Sequence, residues 1–160
     1  MTDTNKIAVL NLDDSGLPPP TPEVDQERKV AIYDLLEDNS YRPAIDDAPD
    51  GPYRLDLAVV DGRLVFDTFT ENDNQRVAAF HLSLSPFRQV IRDYFQICES
   101  YFDAVKRLPP AQIEAIDMGR RGIHDEGART LLERLDGKIE TDMATARRLF
   151  TLICVLHFKG

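Results

Sequence analysis

The chain has 160 residues, 42% of them hydrophobic and 8% aromatic, which predicts one globular domain over residues 1–160 and excludes global disorder. No apolar run reaches the roughly 18 residues of a membrane span, and the amino terminus lacks the features of a secretory signal, so a cytoplasmic location is expected. The net charge of −9 disfavours nucleic acid as a partner, because an anionic surface repels a polyanion.

The first forty residues predict one strand and one helix. The aliphatic run 7–12 is typical of a strand, and the prolines that follow make residues 13–20 a turn or an extended linker. Thr21 and Pro22 form an N-cap followed by a first-turn proline, and the helix that they open is expected to reach about residue 39. Residues 41–52 are polar and acidic and predict a loop.

A hairpin is the clearest local pattern in the chain. Alternating apolar residues at 53–59 and 64–68 flank Asp61 and Gly62, a pair that favours a type I′ turn. A wider turn at 72–75 leads to a third strand at 77–84. The sequence therefore predicts an antiparallel meander with one face packed on helices.

Three helical segments fill the rest of the chain. Ser85 and Pro86 open the first, whose apolar stripe over 87–105 predicts the central core helix, with Phe95 and Cys98 nearly inaccessible. The second runs from about 111 to 135 and is expected to be kinked or split near its glycines. Thr141 or Asp142 caps the last helix. The fold class is thus α+β, with an antiparallel three- to four-stranded sheet against three to four helices.

The two cysteines are predicted to be buried, reduced thiols. Cys98 falls on the apolar stripe of its helix, and Cys154 lies in the apolar run 152–156. Neither belongs to a C-x-x-C pair or a zinc spacing.

Positive charge is concentrated in the C-terminal third. Residues 1–103 hold 9 basic and 20 acidic side chains, whereas residues 104–160 hold 10 and 8. Arg120, Arg121 and His124 lie among three glycines, and arginine presents a fork of donors that suits phosphates and carboxylates. We expect an anion-binding surface there, to which the last helix adds Arg147 or Arg148.

A structural interpretation of the same helix stays open. Asp117–Arg121 and Asp125–Arg129 are i,i+4 pairs, which stabilise a solvated helix face by about 0.2–0.5 kcal/mol each. Close helix packing at Gly119 and Gly122 explains the glycines without a ligand.

A second, acidic site is predicted on the sheet. If the Asp61-Gly62 turn sets the register, Asp56 lies directly opposite Asp67, and the next strand places His81 diagonally near Asp67. Two carboxylates and an imidazole on one face suit a divalent metal or acid–base chemistry. A simple hydrated sheet face is the alternative. The chain contains no nucleotide-binding loop, H-E-x-x-H or G-x-S-x-G motif, and no cofactor is indicated.

Most of the chain resembles a bacterial family of unknown function, uncharacterised protein family number 0262, which is seen mainly in alphaproteobacteria. The resemblance begins at TPEVDQERKVAIYDLLEDNSY (21–41) and continues through GPYRLDLAVVDGRLVFD (51–67) and LSLSPFRQVIRDYFQICESYFDAV (82–105). Its longest run is QIEAIDMGRRGIHDEGARTLLERLDGKIETDMATARRLFTLICVLHFKG (112–160). It implies a bacterial, cytosolic, single-domain protein and transfers no activity, cofactor or catalytic residue.

Together these patterns favour a binding or regulatory protein without catalysis. Its ligand would be a small anion or an acidic patch of a protein partner, held on the helix around residues 114–129. One alternative is a hydrolase that uses a metal held by Asp56, Asp67 and His81. Another is a structural subunit whose glycine-containing helix face docks a partner helix.

Overall fold

A computed structural model describes residues 4–15 and 17–157 and has an α+β architecture. The sequence-predicted fold class is therefore confirmed. Within the described residues the helices and strands follow in this order: β1 (Ile7–Leu12), α1 (Pro22–Glu37), β2 (Tyr41–Pro43), β3 (Tyr53–Val60), β4 (Arg63–Thr70), β5 (Arg76–Ser83), α2 (Arg88–Arg107), α3 (Pro110–Leu135), β6 (Ile139–Thr141) and α4 (Met143–Leu156).

The larger sheet has the strand order β1-β3-β4-β5. The predicted meander is confirmed, since β3, β4 and β5 pair antiparallel in sequence order. The sheet as a whole is mixed, because β1 pairs parallel to β3. A parallel neighbour needs a crossover connection, and α1 lies in the chain between these two strands.

The β3–β4 hairpin has the predicted register. Asp61 and Gly62 have φ angles of 52° and 74°, the positive values that a type I′ turn requires. Asp56 consequently lies opposite Asp67, and Leu57 lies opposite Phe66 with both side chains fully buried. The local turn chemistry thus decides which sheet face packs on the helices.

Side-chain caps begin two of the helices as predicted. The Thr21 side chain accepts a hydrogen bond from the Val24 amide at 3.2 Å, and that of Asp142 accepts one from the Thr145 amide at 2.8 Å. Ser85 does not cap α2. It begins a short 3₁₀ turn, Ser85–Phe87, and α2 starts only at Arg88.

A second, two-stranded sheet joins distant parts of the chain. Tyr41–Pro43 pairs antiparallel with Ile139–Thr141, so the prediction of a loop was wrong at residues 41–43. Next to this ribbon, Thr145 Oγ1 accepts a hydrogen bond from the Ser40 amide at 3.0 Å. Pairing between such short segments depends on partners far away in sequence, which local patterns do not reveal.

α3 is one uninterrupted helix of 26 residues, so the prediction of a split near its glycines was wrong. A Cβ atom built at Gly119 lies in ordinary contact with Ile97 at 3.6 Å, and one at Gly122 meets nothing within 4 Å. At Gly127, however, it lies 2.5 Å from the Phe150 ring. Gly127 is therefore the glycine that close packing requires, because it lets α4 approach α3.

The core is centred on α4 rather than on α2 as predicted. Every residue from 149 to 156 is buried. In α2, Cys98 is only 6% exposed as expected, but Phe95 is only partly buried and Val105 is 52% exposed. The predictions of α2 as the central helix and of an inaccessible Phe95 were thus wrong, because the apolar stripe of α2 is wider than its contact with the core. Cys98 and Cys154 are buried free thiols, as predicted.

Candidate functional site

A cleft of about 300 Å³ lies between α1 and α4, with His124 of α3 also in its wall. α1 lines it with residues 27, 30, 31 and 34, and α4 lines it with residues 144, 147, 148 and 151. Both sets have the i, i+3, i+4, i+7 spacing of a single helix face. The cleft brings together three of the five residues predicted to bind an anion: His124, Arg147 and Arg148.

Arg120 lies outside that lining and is occupied by internal partners. Its Nη1 donates to Glu27 Oε1 at 2.7 Å, and its Nη2 donates to Asp117 Oδ1 at 3.0 Å. The guanidinium also stacks over Tyr101, 4.4 Å from the ring centre. With 20% of its side chain exposed, Arg120 ties α1 to α3 and holds Glu27 in place.

Arg121 is not among the residues that line the cleft. Its Nη2 lies 2.9 Å from Asp117 Oδ2, and 68% of its side chain is exposed. The expected Asp117–Arg121 pair is therefore present. The prediction of an ion pair between Asp125 and Arg129 was wrong, because Asp125 pairs with Arg147 of α4 instead.

Arg147 and Arg148 each use only part of their donor capacity. Arg147 Nε lies 3.2 Å from Asp125 Oδ1, and Arg148 Nη1 donates to the Asp38 carbonyl at the end of α1 at 3.3 Å. Their remaining guanidinium nitrogens have no partner among residues 4–15 and 17–157. The α4 wall therefore presents several uncommitted N–H donors to the cleft.

His124 is a largely buried imidazole beside these arginines. Its ring packs 5.2 Å from that of Tyr94 and 6.4 Å from that of Phe150, measured between centroids. Burial, reinforced by the positive charges of Arg120 and Arg147, lowers the pKa of His124 to about 4. The ring is neutral at pH 7, and its buried Nε2 has no hydrogen-bond partner in the described part of the chain.

Sequence reasoning missed the acidic wall of this cleft. Glu27 and Asp34 of α1 line it opposite the two arginines. Their i,i+7 spacing on a cap-initiated helix was visible in the sequence. What was missing was the information that α1 packs against α4.

The acidic sheet face has the predicted register but no metal-binding cluster. Asp56 accepts hydrogen bonds from Asn11 and Arg54, and Asp67 accepts two from Arg76, at 2.9 and 2.5 Å. His81 lies opposite Val65 on the edge strand. In the described residues no three His, Cys, Asp or Glu side chains are placed to hold a metal ion. The carboxylates are instead neutralised by arginines.

Comparison with known proteins gives a match over nearly the whole chain. Residues 4–159 match an uncharacterised protein family, UPF0262. The chain belongs to this family. It is 69% identical to a UPF0262 protein of Ruegeria pomeroyi over 98% of both chains. It is 70% identical to one of Dinoroseobacter shibae, over 93% of this chain and 95% of the relative.

A UPF0262 protein of Paracoccus denitrificans is 66% identical over 95% of each chain. These relatives come from alphaproteobacteria, as the sequence resemblance implied. No solved structure matches this chain. No helix in the described part of this UPF0262 protein combines the length and apolarity that crossing a membrane requires.

This UPF0262 protein has a second, larger concavity of about 1310 Å³ along α2. Phe95 and Phe102 lie in its lining and supply apolar surface. These two side chains belong to the part of the α2 apolar stripe that the core covers only partly. Charged side chains of both signs surround them. These are Arg88, Arg92 and Lys106 with Glu23, Glu99 and Asp103. Electrostatics therefore selects no single class of ligand for this groove.

Lowering the pH from 7 to 5 should reduce the stability of this UPF0262 protein by about 2 kcal/mol through His124 alone. The unfolded chain protonates this imidazole near pH 6.5, whereas the folded chain keeps it neutral down to about 4. Between about pH 4 and pH 6.5 the unfolded state therefore binds more protons than the folded state, so the free energy of unfolding decreases as the pH falls through this range. Above this range His124 is neutral in both states and has no effect on stability. Urea unfolding at a series of pH values measures the effect.

His124→Phe is the matched control, because it keeps an aromatic ring against Tyr94 and Phe150 but cannot be protonated. Its unfolding free energy should decline less than that of the wild type between pH 7 and pH 5, by the same amount. Parallel profiles for the two proteins would contradict the lowered pKa.

Proposed function

We propose that this protein is a binding module that takes a small anionic ligand in the α1–α4 cleft. Arg147 and Arg148 bind the anion, and the neutral ring of His124 forms part of the cleft wall. The observation that supports this is the presence of two adjacent guanidiniums with uncommitted nitrogens in the wall of a cleft. Guanidinium N–H groups that have no internal partner can donate charge-assisted hydrogen bonds to an anion.

The ligand should be small and should carry a carboxylate or phosphate. A guanidinium presents planar N–H pairs that match the oxygens of these groups, and two adjacent guanidiniums match a doubly charged group. The cleft volume of about 300 Å³ is at the lower end of the range for small-molecule sites.

Arg120 and Arg121 have other roles in this proposal. Arg120 positions Glu27 through the 2.7 Å hydrogen bond and shields the cleft from that carboxylate's charge. Arg121 lies on the exposed side of α3 and contributes only to the surrounding potential.

The two alternatives have weaker support. Hydrolysis by a metal on the sheet would require Asp56 and Asp67 to leave their arginine partners. Docking of a partner helix is not needed to explain Gly127, which admits the Phe150 ring, and Gly119 and Gly122 are exposed positions where an added Cβ atom meets nothing closer than 3.6 Å.

Isothermal titration with inorganic phosphate and with succinate, at constant ionic strength, tests the proposal. At least one of them should bind the wild type, and the double variant Arg147→Gln/Arg148→Gln should bind about tenfold more weakly or worse, since it loses charge-assisted hydrogen bonds. Circular dichroism and an unchanged melting temperature without ligand verify that the variant folds.

Arg121→Gln is the matched control. It also removes one positive charge from the C-terminal third, but from outside the cleft. Its affinity should stay close to that of the wild type. The proposal is wrong if neither anion binds, or if Arg121→Gln weakens binding as much as the double variant does.

A further inference from the structure

The two helical walls of the α1–α4 cleft carry opposite charges. Glu27 and Asp34 lie on α1, and Arg147 and Arg148 lie on α4. In the described part of the chain, no ion pair joins an α1 carboxylate to an α4 guanidinium. The acids and bases thus face one cleft without neutralising each other across it.

The two acids differ in how far the protein compensates them. Glu27 Oε1 accepts the hydrogen bond from Arg120, and the Tyr94 hydroxyl lies 3.5 Å from Glu27 Oε2. Asp34 is half-buried, and its carboxylate has neither an ion pair nor a hydrogen bond among residues 4–15 and 17–157. Asp34 is therefore the uncompensated negative charge of the site. On the opposite wall, Arg147 and Arg148 keep guanidinium nitrogens that have no partner in the described residues.

This arrangement makes a simple anion an incomplete ligand. An anion bound to the α4 wall gains the attraction of two guanidiniums but is repelled by the Asp34 carboxylate in the same cleft. A ligand with an additional ammonium group turns that repulsion into an attraction. The protein then discriminates against ligands with only one charge, because for them one wall stays unpaired.

We propose that the cleft recognises a small zwitterion, with its anionic group on Arg147 and Arg148 and its ammonium group on Asp34. This inference rests on the anion-binding function proposed above and specifies its ligand class. Asp34 acts as the specificity-determining residue, and the two arginines supply the shared anion contact. Amino-carboxylates and amino-phosphates both have this chemistry.

Two matched probe pairs separate the ammonium contribution from the anion contribution. Phosphoethanolamine and ethyl phosphate share a phosphate ester and differ by the ammonium group, as β-alanine and propionate do for a carboxylate. Isothermal titration should show that, in at least one pair, the zwitterion binds the wild type about tenfold more tightly than its partner, a difference typical of one added charge contact. The pair with the larger difference identifies the anionic group.

Asp34→Asn keeps the size of the side chain and removes its charge. In this variant the preference for the zwitterion should disappear, and the plain anion should bind at least as tightly as it binds the wild type. Glu37→Gln is the control, because it removes a carboxylate from the same helix at an exposed position outside the cleft. Its preference should equal that of the wild type.

The outcomes distinguish this inference from the function on which it rests. If both members of each pair bind the wild type equally, the zwitterion inference is overturned and anion binding stands. The inference is also overturned if Asp34→Asn retains the preference. If no probe binds, the anion-binding function fails, and the inference fails with it.

Discussion

Phe150→Ala is expected to lower the free energy of unfolding by about 3–5 kcal/mol, which combines the lost transfer free energy of the ring with the cost of a cavity. Phe150 is fully buried on α4. Its ring meets that of Tyr94 edge-on at 5.9 Å and lies against Gly127 of α3. Urea unfolding followed by circular dichroism measures the loss.

Phe95→Ala is the matched control for this variant. Phe95 is also an aromatic residue on a core-packed helix, but its side chain is only partly buried beside the α2 groove. The same substitution should therefore cost less, about 1–2 kcal/mol, since a smaller area returns to water. Equal losses at the two positions would contradict the assignment of α4 as the central helix.

Gly127→Ala should destabilise the protein by about 3 kcal/mol, near the upper end of the cost of overpacking, because the new methyl group meets a fully buried ring. The Cβ atom would lie 2.5 Å from Phe150, which is too close for any real contact. Either the ring or the whole of α4 has to move. The measurement is again the unfolding free energy in urea.

Gly122→Ala, on the same helix, is expected to have the opposite effect on the free energy of unfolding. The position is open, with no atom within 4 Å of the added Cβ. Alanine should raise stability by up to about 1 kcal/mol here, because it costs less backbone entropy than glycine in a helix.

The collision at position 127 also predicts energetic coupling. Phe150→Leu makes room, so Gly127→Ala should cost less in that background than in the wild type. Additive losses in the double variant would show that Gly127 does not serve to admit the Phe150 ring.

The hairpin turn and the helix caps show why some features were predictable from the sequence. The hairpin depends on Asp61 and Gly62, whose adjacent positive φ angles fix the strand register locally. The caps at Thr21 and Asp142 are equally local, because each side chain binds an amide three residues ahead. The conformations needed at these positions are set by near neighbours in the chain, so a single sequence suffices.

Other features depend on contacts between distant segments. The continuity of α3 was missed because the intrinsic cost of Gly127 is offset by packing against Phe150, 23 positions later. The exposure of Phe95 was missed because helical spacing identifies an apolar stripe but not how much of it another element covers. The pairing of Tyr41–Pro43 with Ile139–Thr141 was missed for the same reason.

The candidate site was predictable only in part. The excess of basic residues after position 103 led to Arg147, Arg148 and His124, which the structure brings to one cleft. Their charge alone did not separate them from Arg120, whose donors are used by Glu27 and Asp117. Which arginine keeps free donors is decided by the positions of its neighbours in space.

The β2–β6 ribbon has a consequence for how the molecule is made. It joins Tyr41–Pro43 to Ile139–Thr141, which are far apart in the chain. α1 directly precedes the first of these strands and α4 directly follows the second, so the two walls of the cleft are equally distant in sequence. During synthesis on the ribosome, the sheet residues 53–83 emerge before α4 exists. Because contacts between distant segments form only after a large loop has closed, the cleft is assembled only after α4 has been synthesised, and a nascent chain that stops before residue 143 has no basic wall with which to hold a ligand.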